Sequence, residues 1–465
     1  MKFNSQQNIS FKNLSLVVGP IFALISTYLM SESGFSASAA YTLGVTILCV
    51  VWWVFEPIPI PATSLIPLAV LPMLGVITPK EVAAAYGDPL ILLLLGGFML
   101  STALARSGAH QRLALTMVRM FGGESSRSLV FGFMLASAIL SMWISNTATT
   151  LMLLPVAMAI IEKTDDPKLG PPLLLGIAYA ASVGGIGTPI GTPPNVVFMS
   201  VYNGIAETPL SFAGWMKFGI PVVLIFVPII AYWLTRNLEF KGKIMLPAVG
   251  KWQKAEKRVL IIFIITAMLW IFRLEPFGGW TAWLNIPKTN DAMVALLAVV
   301  AMFLVPDGKG SKLLDWETAQ KIHWGVLILF GAGLSIAAAF GASGLSEIIG
   351  SELKSLSVLP PILMILLVCL SVTFLTETTS NTATTALLMP ILGAGALAVG
   401  IDPKLLMVPA AMSASCAFML PVATAPNIIV FSAGLFSTQT MAREGIVLNL
   451  LGATIITILC YYLIV

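Results

Sequence analysis

Long apolar runs separated by short polar segments occupy nearly the whole chain. Runs at residues 14–30, 39–55 and 62–76 predict three membrane spans, and 90–120 is too long for one plain crossing. Residues 129–161 are apolar on both sides of a polar island at 145–150. Each flank is about 16 residues, short of the roughly 20 a crossing helix needs. This predicts a re-entrant hairpin, a shape tolerated at membrane depth only where protein or water lines it. The run 173–200 is interrupted by Gly184, Gly185, Gly187, Pro189, Gly191, Pro193 and Pro194. No unbroken helix accommodates that many breakers, so this segment is expected to unwind and free backbone carbonyls. A span at 219–234 and a basic loop from Arg236 to Arg258 follow.

The second half repeats this grammar. Spans are predicted at 259–272, 292–304, 324–340 and 446–465, with a second hairpin at 359–399 and a second interrupted run at 406–431. Ser-Asn-Thr-Ala-Thr-Thr starts at Ser145 and again at Ser380, and Ile-Leu-Leu-Leu-Leu-Gly-Gly at 91–97 is echoed at 326–332, both at an offset of about 235 residues. The break Pro421-Val-Ala423-Thr424-Ala425-Pro426-Asn427 is the twin of Gly191-Thr192-Pro193-Pro194-Asn195. Matching interruptions in two halves of a hydrophobic chain are the sequence pointer to a secondary transporter's binding site.

Composition narrows the class. With 58% hydrophobic and 10% charged residues, against about 25% charged in soluble domains, the chain is an all-α polytopic membrane protein. Its 465 residues have room for about 11 transmembrane helices plus the two re-entrant hairpins, related as an inverted repeat. The net charge of +4 carries no nucleic-acid signal, and no nucleic-acid partner is expected. The placement of basic residues is more informative. With a cytoplasmic N-terminus and both hairpins re-entering, the inside loops hold Lys2, Lys12, Arg106, Arg112, Arg119, Arg127, Lys163 and Lys168. They also hold the bases of 236–258, and Lys309, Lys312, Lys321 and Arg443: 19 of 25 basic residues. Lys80, Lys217, Arg273, Lys288, Lys354 and Lys404 remain outside. The polar N-terminus leads into an apolar run without a small-residue cleavage signal, read as a first membrane helix. Cys49, Cys369, Cys416 and Cys460 stand singly in apolar runs and are read as packing residues. His110 and His323 sit beside basic residues in predicted loops and are expected to be solvated.

Polar groups at membrane depth are costly. An isolated Ser or Thr there is ordinarily helix-packing glue, but a duplicated cluster at two helix breaks points to a site. Hydroxyls, amide oxygens and freed carbonyls are hard ligands suited to Na⁺, and no Asp, Glu, Cys or His cluster offers a divalent-metal site. The helices after each tip are expected to start near Asn146-Thr147 and Asn381-Thr382, aiming N–H groups and positive dipole ends at an anion. Without Lys or Arg in either motif, a bound cation would also be the substrate's electrostatic partner. Glu377 is the one carboxylate in the motifs, with Met142 in its place in the first copy; it is either a proton or cation site or is paired or solvated near a helix end. Arg106, near Gly108, is placed at the cytoplasmic interface.

At these residues the chain resembles the divalent anion/sodium symporter (DASS) family. The resemblance covers nearly the whole length and includes Trp52-Trp53 with Glu56-Pro57, Thr63-Ser64-Leu65, Leu95-Gly96-Gly97-Phe98, both Ser-Asn-Thr motifs, and Thr424 with Pro426-Asn427. It implies a homodimeric, elevator-type transporter with a scaffold domain (1–127 and 236–352) and a transport domain (128–235 and 353–465). It implies one Na⁺ site at Ser141, Ser145, Asn146 and the carbonyl of Gly191, and another at Thr376, Ser380, Asn381 and the carbonyl of Ala423. Substrate carboxylates would contact Asn146, Thr147, Asn381, Thr382 and Thr424. Where the family often has proline, this chain has Ala425.

The expectation is a sodium-coupled symporter importing C4-dicarboxylates (succinate, malate, fumarate) across the cytoplasmic (inner) membrane, with Na⁺ as coupling ion and no organic cofactor. The residues by themselves reach a small anion with cation coupling; the carboxylate choice follows from the resemblance. The alternatives of the same fold are a dicarboxylate or citrate exchanger and a sulfate/Na⁺ symporter. A channel fits the paired breaks less well than alternating access does. A membrane enzyme lacks a nucleophile–His pair, a metal cluster or a phosphate-binding loop.

Overall fold

The computed structural model describes residues 5–121, 125–164, 166–239, 250–348 and 359–464. Lys2, Lys241, Lys243, Lys354 and the expected boundary at 352/353 lie outside them.

Apolar helices dominate the described residues, and seven are long and apolar enough to cross a membrane. Ser5–Glu32 and Ala37–Phe55 pack as an antiparallel pair. The expected span at 62–76 is instead split into Ile60–Thr63 and Leu65–Met73, hinged at Ser64, whose hydroxyl takes a hydrogen bond from Trp53 Nε1 (3.1 Å). The overlong run 90–120 breaks where a glycine allows it. Pro89–Ser107 ends at Gly108 with φ 79°, a left-handed conformation that favours glycine, and Ala109–Phe121 continues in a new direction. Trp324–Ser343 ends the same way at Gly344, φ 77°, so the repeat extends to its helix caps.

Both hairpins are present. The first has arms Ser126–Ser141 and Asn146–Ile161, the second Pro361–Thr376 and Asn381–Ala398. The turns are at 142–145 and 377–380, not within the polar islands: Ser145 and Ser380 are N-caps, and Asn-Thr-Ala-Thr-Thr is already the first turn of each second arm. The cause is capping: each serine hydroxyl accepts a hydrogen bond from the N–H three residues on, Ala148 (3.2 Å) and Ala383 (3.5 Å).

Each interrupted run unwinds. The first joins Gly170–Gly185 to Pro193–Ile205. The second joins Lys404–Ser413 to Ala425–Phe431 through a longer break holding one 3₁₀ turn, Pro421–Ala423. Around them the core is sealed by wholly buried Phe133, Tyr179, Trp215, Phe226 and Phe418, with the Tyr179 and Phe418 ring centroids 4.9 Å apart. Large apolar side chains such as Leu24, Ile264, Leu297 and Leu367 are exposed on the outside of the helices, as lipid contact requires.

Several basic residues tie end loops together. Arg106 pairs with Asp315; Arg112 bonds Glu256 (2.8 Å) and the carbonyls of Gly250 and Lys251; Arg127 bonds the carbonyls of Leu238 and Arg236; Arg258 bonds that of Pro306. All of these bases belong to the expected inside set. Among the expected outside bases, Lys217 pairs with Glu275 and Arg273 with Asp291. His110 departs from its expected solvation: it lies near the start of Ala109–Phe121, buried, with Nδ1 3.2 Å from the Leu104 carbonyl. The chain break at Gly108 folds it back against the preceding helix.

Candidate functional site

Four helical segments begin at one place. Asn146–Ile161, Pro193–Ile205, Asn381–Ala398 and Ala425–Phe431 start from the N-caps Ser145, Thr192, Ser380 and Thr424, and all four caps line a single cavity of about 730 Å³. Prolines at the first or second position of two of these segments remove N–H groups that the helix leaves unpaired anyway. The remaining N–H groups and the positive dipole ends converge on a cavity whose described lining contains no Lys or Arg.

Behind each tip sits a hydroxyl–amide pair. Ser141 Oγ is 2.6 Å from Asn146 Oδ1, and Thr376 Oγ1 is 2.6 Å from Asn381 Oδ1. Ser141 and Thr376 are wholly buried and lie one layer below the cavity wall. Thr150 and Thr385 donate to the carbonyls of Asn146 and Asn381 (2.9 and 2.7 Å), holding the first turns in register.

The breaks are braced by a second repeated device. Asn195 Nδ2 donates to the carbonyls of Gly185 (2.9 Å) and Thr188 (2.7 Å). Asn427 Nδ2 donates to those of Ala417 and Leu420, 3.0 Å each, at identical sequence separations. The asparagine of the Thr-x-Pro-Asn break therefore replaces helical N–H groups that the unwound carbonyls have lost. In the first break Trp215 Nε1 also caps the Ile186 carbonyl (2.8 Å).

The Asn146 amide is surrounded by oxygens. With Nδ2 turned inward it donates to Gly191 O (3.3 Å), Ala181 O (3.2 Å) and Ser141 Oγ (2.6 Å). Gly185 makes this fit possible, because a Cβ there would stand 2.8 Å from Asn146 Oδ1 and 3.1 Å from Gly191 O. At the second tip, Thr376 Oγ1 lies 3.1 Å from the Ala414 carbonyl as well, a second acceptor for its one proton.

Ser145, Asn146, Thr147, Gly191, Ser380, Asn381, Thr382, Ala423 and Thr424 all line the cavity, and Ala425 forms part of the same wall. Sequence reasoning passed over Thr192, although its twin Thr424 was assigned; the repeated Thr-x-Pro-Asn carried that signal. It also missed the opposite wall, where Glu56, Phe98, Ser101, His323 and Val326 face the tips. These arrive from helices distant in sequence; Glu56 and Phe98 stand in stretches that carry the family resemblance, but neither was assigned to the site. Glu377 does not line the cavity. Buried at the second tip, its carboxylate accepts from the N–H groups of Phe418 (2.7 Å), Met419 (2.9 Å) and Leu420 (3.0 Å) and from Asn449 Nδ2 (2.7 Å). That is pairing within the protein, one of the readings its sequence position left open, and not the solvated one. Among the described residues no group of three His, Cys, Asp or Glu side chains is placed to hold a metal ion.

A membrane-length helical fold whose paired breaks enclose a hydroxyl- and amide-lined cavity is the architecture of a carrier for small solutes. Residues 10–464 match the family described as the sodium:sulfate symporter transmembrane region, and the chain belongs to that family of transporters; it is not an enzyme. It is 38% identical over 490 aligned residues to the sodium-dependent dicarboxylate transporter SdcS of Staphylococcus saprophyticus, covering 99% of this chain and 93% of the relative. The SdcS of Staphylococcus aureus strain MRSA252 is 38% identical over 476 residues, covering 97% and 91%. Among solved structures the fold is similar to the YdaH transporter of Alcanivorax borkumensis, with TM-score 0.59, 16% identity and coverage of 82% of this chain and 87% of that one. It is also similar to MtrF of Neisseria gonorrhoeae, with TM-score 0.57, 13% identity and 82% of each chain covered.

Proposed function

We propose that the protein is a sodium-coupled symporter that imports C4-dicarboxylates such as succinate, malate and fumarate across the cytoplasmic membrane. The observation that carries this reading is the pair of matching hydroxyl–amide cages, Ser141–Asn146 and Thr376–Asn381, set behind helix N-termini around one cavity. The names of the 38%-identical relatives supply the substrate class.

In this reading one Na⁺ is held by Ser141, Ser145, Asn146 and the Gly191 carbonyl, and a second by Thr376, Ser380, Asn381 and the Ala423 carbonyl. The Ser141–Asn146 contact (2.6 Å) and the place of Gly191 in the cavity wall support the first set. Substrate carboxylates contact Asn146, Thr147, Asn381, Thr382 and Thr424, where helix N-termini and the two cations offset the dianion's charge in place of basic side chains. Binding of cation and anion is then mutually reinforcing, and this is what couples the sodium gradient to uptake. The hairpins and broken helices form a transport domain that moves against a scaffold as an elevator, in a homodimer with cytoplasmic N-termini. The grouping of the basic loops at one end supports that orientation.

The test is radiolabelled succinate uptake into proteoliposomes with and without an inward Na⁺ gradient, with sulfate or citrate as competitor. Uptake that requires the gradient and resists sulfate is the expected result. Equal uptake without Na⁺, accelerated by internal succinate, identifies an exchanger and overturns the cation sites. Asn146→Ala and Asn381→Ala should each lower uptake more than tenfold while the protein remains folded in the membrane. Loss of a cation-bound amide costs about 1.5–3 kcal/mol, and each 1.4 kcal/mol is a factor of ten.

A further inference from the structure

The cavity has two chemically different walls. The hairpin wall is built of hydroxyls, amides and helix starts. The facing wall carries two ionisable side chains, Glu56 and His323, and among the described lining residues His323 is the one that can become positively charged. His323 is the N-cap of Trp324–Ser343 and exposed to the cavity. Its ring stands edge-on to Phe98, centroids 5.6 Å apart. Among the described residues neither ring nitrogen is hydrogen-bonded to the protein, so its N–H is free for a ligand.

The surrounding charges leave it in that role. Of the ionisable groups on helices packed against Trp324–Ser343, Glu56 ends Ala37–Phe55 and faces the same cavity. Arg106 is paired with Asp315, and Glu81 is bound by Thr78. Tyr86 lies against Gly331, Tyr202 lies under Lys404, and Lys80 is exposed outside the cavity lining. Asp88 accepts from Leu90 N at its own helix start, and Lys321, just before His323, is exposed and likewise outside the lining.

We propose that His323 is a further substrate-contact residue on the wall opposite the Ser-Asn-Thr tips, donating to a substrate carboxylate that the tips also hold and attracting it more strongly when the imidazole is protonated. The inference rests on the anion-carrier reading above. Histidine changes charge between about pH 5 and 8, and the contact is made in a cavity shared with Glu56, whose charge opposes an anion. The two side chains thus set the field on the substrate from the side that lacks helix N-termini.

The experiment measures KM and maximal rate for succinate uptake at about pH 6 and pH 8 in wild type, His323→Gln, His323→Ala and Glu56→Gln. Variants are compared with wild type at each pH, because succinate itself titrates in this range. The expected result is a KM roughly three- to tenfold higher in His323→Ala at the lower pH, with a smaller difference at the higher pH. His323→Gln, which keeps a donor without charge, should restore the higher-pH KM and not the lower-pH one. Glu56→Gln should move KM in the opposite direction. An unchanged KM and pH profile in His323→Ala overturns the inference, as does a loss confined to maximal rate. Failure of the wild-type protein to carry any dicarboxylate is a different result and overturns the reading on which this rests.

Discussion

The two hairpin tips hold the same hydroxyl–amide pair and are tied to their neighbouring breaks by different chemistry. At the first tip Thr188 Oγ1 donates to the Met142 carbonyl, so backbone of the tip meets a side chain of the break. At the second, the side chain of Glu377 crosses to three consecutive backbone N–H groups of the break, while Leu420 stands in the place of Thr188. The difference follows from the length unwound. The first helix restarts at Pro193 after stopping at Gly185; the second stops at Ser413 and restarts at Ala425. The longer break frees more N–H groups at membrane depth, where water is absent and each unpaired donor costs about 1–3 kcal/mol. A buried carboxylate is costly by itself, yet four donors on one carboxylate make it the cheaper solution. Position 377 is thus explained by the architecture of the break, and Met142 needs no charge because Thr188 and the short glycine-rich turn leave fewer donors to satisfy.

The largest effect is expected at Glu377. Glu377→Ala leaves the N–H groups of Phe418, Met419 and Leu420 and the amide of Asn449 without their acceptor and should destabilise the protein by on the order of 3 kcal/mol or more. The measurement is thermal unfolding in detergent, where Met142→Leu should shift the midpoint little. Equal, small shifts for both would dissolve the distinction between the tips.

Next in size is a pair of substitutions at equivalent positions of the two breaks, Gly185 and Ala417, defined by the matched hydrogen bonds of Asn195 and Asn427. Gly185→Ala drives a methyl into the oxygens around Asn146 and should raise the Na⁺ concentration for half-maximal uptake at least about tenfold. Ala417→Gly occupies a site that already accepts a Cβ and should cost no more than about 1 kcal/mol of stability. Sodium titrations of uptake separate the two, and a normal Na⁺ response in Gly185→Ala would move the cation site away from Asn146.

The smallest expected effects come from exchanging the hydroxyl residues. Ser141→Thr and Thr376→Ser keep the oxygen that meets Asn146 and Asn381 and should change Na⁺ dependence by no more than about threefold. Ser141→Ala and Thr376→Val remove it and should cost about tenfold. If the exchanges were as damaging as the deletions, side-chain shape and not the hydroxyl would be the shared requirement.

The apolar run lengths, the duplicated Ser-Asn-Thr-Ala-Thr-Thr and the glycines and prolines of the breaks by themselves determined the membrane class, the two hairpins, the two unwound segments and one wall of the cavity. These signals are local: hydrophobic length, helix breaking and capping are written in neighbouring residues. The turn at 142–145 lay a few residues from where polarity placed it, because a Ser N-cap makes a polar island the start of a helix rather than a gap. The burial of His110, the splitting of the third span at Ser64 and the opposite wall with Glu56 and His323 were decided by tertiary structure alone. Each depends on which distant helix packs alongside, and no periodicity within the chain records that. Glu377 stands between the two cases. Its sequence position marked a carboxylate in the motif and left its role open; its burial and the donors that satisfy it were settled by the path of a break about 40 residues away, where a lipid-depth backbone must find a partner within the protein.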